Sequence, residues 1–146
     1  MPNSFDTYER DQKKSYDKET FEWITSWCDY ANNHDLPRIL LIGDSIVRGY
    51  YNHVKEALKD KVRVDYISTS YSITNPIYRK VVVEMAKNSK YQRIYFNFGL
   101  HAGGLSARSY KAGYKKVLKE LLALAPVTVM ASTTVYQNGK DKLDTA

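Results

Sequence analysis

The chain has 146 residues, 43% hydrophobic and 13% aromatic, with one cysteine and a net charge of +6. That length suits one domain with its own core, and the composition excludes a disordered chain. The lone cysteine, Cys28, excludes an internal disulfide and a cysteine-rich zinc cluster, and no apolar run approaches the ~20 residues of a membrane span.

Residues 1–16 carry few aliphatic side chains and read as a polar N-terminal arm, ahead of one α/β domain over 17–146. The start has no apolar signal-peptide core. The location is therefore cytoplasmic by default, or secreted if a leader has been removed. Phe21, Ile24, Trp27, Cys28 and Ala31 fall at helical spacing, which predicts a helix over 17–32 with Cys28 as a buried, inert thiol. Pro37 closes the linker behind it. Ile39-Leu40-Leu41-Ile42 is a short apolar run and reads as a buried strand. Gly43-Asp44-Ser45 follows at once, and Ile46, Val47, Tyr50, Val54, Ala57 and Leu58 mark a helix directly after it.

Val62 to Ile67 reads as a second strand. Asn75-Pro76 opens a helix, with Asn as cap and Pro in the first helical position. Arg93 to Phe98 reads as a third strand. Ser106 can cap a helix whose inward side carries Tyr110, Tyr114, Val117 and Leu121; Pro126 ends it, and Val127 to Thr134 reads as a fourth strand. Strands alternating with helices predict a three-layer α/β/α sandwich around a flavodoxin-like parallel sheet.

Ligands of such sheets bind at the carboxyl ends of the strands. The unusual residues of this chain fall there: Gly43-Asp44-Ser45, the hydroxyl-rich 68–75, the glycine-bearing 99–104, and Ser132-Thr133-Thr134. The first turn lacks the Gly-Lys-Ser/Thr of a phosphate loop, and residues 99–104 are not G-x-G-x-x-G. His34, His53 and His101 have no metal-ligand spacing. No cofactor and no metal are expected. Lys111, Lys115, Lys116 and Lys119 read as the solvated side of a helix, and with no nucleic-acid-binding motif in the chain no nucleic-acid partner is expected.

A serine at a strand-to-helix junction stands where backbone N–H groups can stabilise an oxyanion. Ser45 is open to two readings, nucleophile or helix cap. Asp44 reads as an acceptor that holds the turn, and Gly43 as the residue that lets the turn be tight. The α/β-hydrolase elbow G-x-S-x-G is not present, because Val47 occupies its second glycine.

Gly43-Asp44-Ser45-Ile46 after the first strand resembles block I of the GDSL/SGNH hydrolase superfamily, and FNFGLHAGG at 96–104 resembles its block III. The resemblance runs from about residue 38 to 135. It implies an esterase or acylhydrolase of SGNH-hydrolase fold, with Ser45 as nucleophile and a small-molecule or carbohydrate ester as substrate. It also implies that the second strand lies beside the first, with the third and then the fourth on its other side. Gly99 matches block III, while His101 stands at the family's asparagine and Ala102 at its aspartate. His101 is open as oxyanion donor, substitute base or loop residue. The block II glycine is replaced by Ser68-Thr69-Ser70, so Ser70 stands as a substitute substrate-side residue. No histidine follows His101, so the family's late D-x-x-H is missing and the resemblance implies an enzyme truncated before it. Such a chain would be weakly active or inactive, with an open sheet edge inviting self-association. A non-catalytic binding module derived from the fold, and an unrelated flavodoxin-like domain, are the alternatives.

Overall fold

The computed structural model describes residues 19–102 and 105–130. In chain order the elements are β1 (Ile24–Trp27), β2 (Arg38–Gly43), α1 (Ser45–Leu58), β3 (Arg63–Thr69), α2 (Pro76–Lys87), β4 (Arg93–Phe96), α3 (Ala107–Leu122) and β5 (Val127–Val129). They form an α/β fold on one five-stranded sheet of order β1-β3-β2-β4-β5. β2 pairs in parallel with β3 and β4, and β4 with β5, so the parallel strands stand in the expected order. The expected polar arm and residues 131–134 of the fourth strand lie outside the described residues. No helix among the described residues is long and apolar enough to cross a membrane.

All six residues of β2 are buried, because helices cover both faces of the sheet. Leu40 and Ile42 face a core shared with Tyr78 and Val82 of α2 and Val117 and Leu121 of α3. Ile39 and Leu41 face the opposite core with Val64 and with Val47 and Tyr51 of α1. Burying each such aliphatic side chain stabilises the fold by roughly 1.5–3 kcal/mol. Two caps stand where the sequence puts them. Asn75 Oδ1 accepts from Ile77 N at 2.9 Å, and Ser106 Oγ accepts from Ser109 N at 3.1 Å.

The expected helix over 17–32 is corrected by the structure. Residues 24–27 form β1, an edge strand antiparallel to β3 with Ile24 opposite Thr69 and Trp27 opposite Tyr66. The apolar residues that suggested a helix do not form a buried stripe: Phe21 is 81% exposed and Trp27 57%. Their spacing loses to an unpaired strand edge, since β3 offers a ladder of backbone groups that must find partners. The Thr25 and Ser68 hydroxyls, 2.9 Å apart, add a cross-strand bond. Cys28 directly follows the strand, half-buried, and Asn88 Nδ2 donates to its sulfur at 3.4 Å. Burial first, and then the nearby Asp65 carboxylate, push its thiol pKa up, which suits an inert thiol.

The return from β1 to β2 is held by a buried ion pair. Arg38 Nη1 lies 2.6 Å from Asp65 Oδ1, and the side chains are 5% and 0% exposed. Arg38 also donates to the carbonyls of Asp29, Tyr30 and Asn33. Asp65 accepts from Asp29 N at 2.9 Å and from the Tyr91 hydroxyl at 2.8 Å. Tyr30 takes a left-handed backbone (φ 45°) within this loop. That conformation costs a bulky residue about 1–2 kcal/mol, and the guanidinium bond to its carbonyl offsets the cost. Arg38→Met should destabilise the protein by about 3–5 kcal/mol in urea unfolding, because it strands the Asp65 charge. The loss should shrink in Arg38→Met/Asp65→Leu. A single-variant loss under about 1 kcal/mol would show that the loop does not depend on the pair.

Tyr114 of α3 packs on Phe96, ring centroids 4.9 Å apart. Burial, with a smaller contribution from Tyr110, raises its phenol to about 12. The raised folded-state pKa means that the unfolded chain ionises first as pH rises. Stability should be constant below the ordinary tyrosine pKa of ~10 and fall from there up to about 12. Tyr114→Phe should flatten that decline in urea unfolding followed against pH, and an unchanged slope would count against the burial effect.

Candidate active site

Three segments meet at Gly43, where β2 ends. Gly43 is the register partner of Ser68 on β3, and on the other side Asn97 N donates to the Ile42 carbonyl at 2.9 Å. A Cβ on Gly43 would stand 2.2 Å from Val47 Cγ2. The glycine is needed because the first turn of α1 lies directly on it. Val47 is 1% exposed and has no room to retreat.

Asp44 caps α1: its Oδ1 accepts from Ile46 N at 2.9 Å, and its carbonyl accepts from Arg48 N at 3.2 Å. Asp44 is 2% exposed, and its Oδ2 is shielded without a hydrogen-bond partner. The expected turn-holding role of Asp44 is therefore what its geometry provides. Of the two readings of Ser45, the cap is taken by Asp44. Ser45 is the first helical residue, half-buried, and its hydroxyl has no hydrogen-bond partner among the described residues. It stands at the positive end of a 14-residue helix.

Gly99 and His101 follow β4. The Gly99 carbonyl accepts from Ala102 N at 3.1 Å, closing the short turn that carries His101. His101 Nδ1 lies 2.5 Å from Glu19 Oε1. Its Nε2 is shielded and without a partner. The ring meets Trp23 edge-on, centroids 6.2 Å apart.

Ser70, after β3, holds the N-terminal segment. Its N–H donates to the Trp23 carbonyl at 3.1 Å, its hydroxyl accepts from Trp23 N at 2.8 Å, and the same hydroxyl donates to Glu22 at 2.6 Å. Thr69 Oγ1 donates to the Trp23 carbonyl as well. The Arg48 guanidinium, one turn into α1 from Ser45, lies 4.6 Å from the centre of the Trp23 ring. Trp23 is thus the joint between the end of β3, the first turns of α1 and the loop after β4.

Sequence reasoning missed Glu19, Glu22, Trp23 and Arg48. Glu19, Glu22 and Trp23 were absorbed into a helix, and Arg48 reads as one more surface cation. Only the pairing of β1 on β3 brings the two acids to this edge, and no local signal encodes it. Ser132, Thr133 and Thr134 lie outside the described residues. Among the described residues no three metal-ligating side chains cluster.

No protein-family model matches the chain, and no curated protein sequence matches it.

Gly43→Ala should cost about 1–3 kcal/mol of stability in urea unfolding, the range for overpacking a full core. The cost should shrink in a Val47→Ala background, where the atom that is struck has gone. Equal costs in both backgrounds would show that the chain relieves the contact elsewhere.

Proposed function

We propose that the chain is a serine esterase or acylhydrolase of the GDSL/SGNH type, with Ser45 as nucleophile and His101 as its base. The observation that carries this reading is the Glu19–His101 pair. A carboxylate on one imidazole nitrogen fixes the tautomer and supports the cation that forms when the other nitrogen takes a proton. In this reading the Gly99 N–H and the N-terminal N–H groups of α1 would serve the oxyanion.

In the reaction so assigned, the Ser45 oxygen, which makes no hydrogen bond to His101 Nε2 in the structure, attacks the ester carbonyl while its proton passes to that nitrogen. The alcohol leaves with that proton, and the acyl group stays on Ser45. Water then attacks the acyl-enzyme, gives one proton to His101 and releases the acid; the proton returns to Ser45. Glu19 in this role takes the place of the acid that the resemblance would put in a late D-x-x-H.

A non-catalytic binding module on the same fold is the second reading. It is favoured by Ser70, whose N–H is committed to Trp23 and is not free to serve a substrate oxygen.

A fluorophosphonate probe should label the unaltered chain and leave Ser45→Ala unlabelled. With an activated aryl ester, His101→Ala should lower the rate ~10²–10⁴-fold, the usual worth of a positioned acid–base. Glu19→Gln should lower it less, and Glu19→Asp should restore part of the loss. No labelling of the unaltered chain would move the assignment to the binding module, and labelling that survives Ser45→Ala would remove Ser45 as nucleophile.

A further inference from the structure

The net charge of the chain is concentrated on one layer. α2 carries Arg79, Lys80 and Lys87 against Glu84, and α3 carries Arg108, Lys111, Lys115, Lys116 and Lys119 against Glu120. These two helices hold a net +6, which is also the net charge of all 146 residues. The rest of the chain is therefore balanced. All eight cations are exposed, and both helices pack on the same face of the sheet through Tyr78, Val82, Val117 and Leu121. Arg79 reaches across to Glu120 at 2.8 Å, so the two rows are neighbours.

Between the rows lies a cleft of about 440 Å³. Thr74, Asn75 and Arg79 line one wall, Ser109 and Lys116 the other, and Gly113 its floor. Gly113 lies close under Ile73, where a Cβ would come within 3.2 Å of it. The wall holds the N-terminus of α2, and Asn75, 2% exposed, has its Nδ2 without a hydrogen-bond partner. Arginine, lysine, hydroxyl and amide side chains beside a helix N-terminus are the set that contacts backbone phosphates. The cations run on past the cleft along both helices, so the face suits a row of phosphates better than one.

We infer that the α2–α3 face binds the phosphate backbone of a duplex nucleic acid without reading its sequence. Charge complementarity supplies the affinity. The aromatic rings of α3 are turned to the core, Tyr110 against Phe98 and Tyr114 against Phe96, so the face offers no stacking platform for single strands. The apolar side of each helix is likewise spent on the sheet, which argues against insertion into a lipid surface.

The test is fluorescence anisotropy of the full chain with two labelled ~20-bp duplexes of unrelated sequence, between about 50 and 200 mM salt. Both should bind alike, with log Kd rising by ~0.9 per phosphate contacted for each unit of log salt. Lys111→Glu/Lys115→Glu/Lys119→Glu should weaken binding by ~10-fold or more. Lys55→Glu/Lys59→Glu/Lys61→Glu, the same charge change outside these two helices, should weaken it far less at about 0.1 M salt, where the Debye length is ~10 Å. Ser45→Ala should bind as the unaltered chain does, whether or not the esterase assignment stands. No binding at the lowest salt, equal weakening by the two triple variants, or binding to phosphatidylserine vesicles but not to duplexes would overturn the inference.

Discussion

The Arg38–Asp65 pair is the constraint on which the rest of the molecule depends. A carboxylate in the middle of a buried strand is costly to desolvate unless it is paired and hydrogen-bonded. Here the guanidinium, Asp29 N and the Tyr91 hydroxyl supply three bonds. Arg38 Nη1 also donates to the Asp29 carbonyl, and Nη2 donates to those of Tyr30 and Asn33, all in the loop between β1 and β2. The pair therefore fixes where the chain turns back after β1, and so fixes that β1 runs antiparallel along β3. Tyr91 shows the same environment from the other side: burial, then the Asp65 carboxylate, push its phenol up.

With β1 placed, the segment before it must cross the carboxyl edge of the sheet. Trp23 ends this crossing. It is bonded through its backbone to Ser70, stacked under Arg48 and set edge-on to His101. Glu19 arrives at His101 by the same route. The arrangement links a folding interaction at one end of the sheet to the surroundings of His101 at the other. A change that frees β1 would remove the carboxylate from His101 as well as the edge strand from β3.

The two faces of the sheet have different work. Among the described residues α1 is the helix on one, its N-terminus carrying Asp44 and Ser45 and its side chains Val47 and Tyr51 filling the smaller core. α2 and α3 share the other, over the larger core, and present nearly all of the chain's uncompensated positive charge. The ends of β2, β3 and β4 and the helix N-termini meet at a common edge because each of these strands is followed by a helix that returns. The N-terminus of α1 and the exposed cations of α2 and α3 thus share no side chains.

By itself the sequence determined the parallel part of the fold. The continuous apolar run of β2, the Asn75-Pro76 and Ser106 helix starts, and Gly43 before Ser45 are local signals, set by burial and by unpaired backbone groups within a few residues. They were legible because each is decided by its neighbours in the chain. The position of the site at the carboxyl edge followed from that alternation. Only the tertiary structure decided the fate of residues 19–36. Their apolar spacing suits a helix in isolation, but the open ladder of β3 and the desolvated Asp65 are better partners, and both lie about 40 residues away along the chain. The same long-range pairing gave Ser70 to Trp23 and set Glu19 against His101. It also turned scattered lysines into one face, because which helices lie side by side is a property of the sheet order and not of either helix.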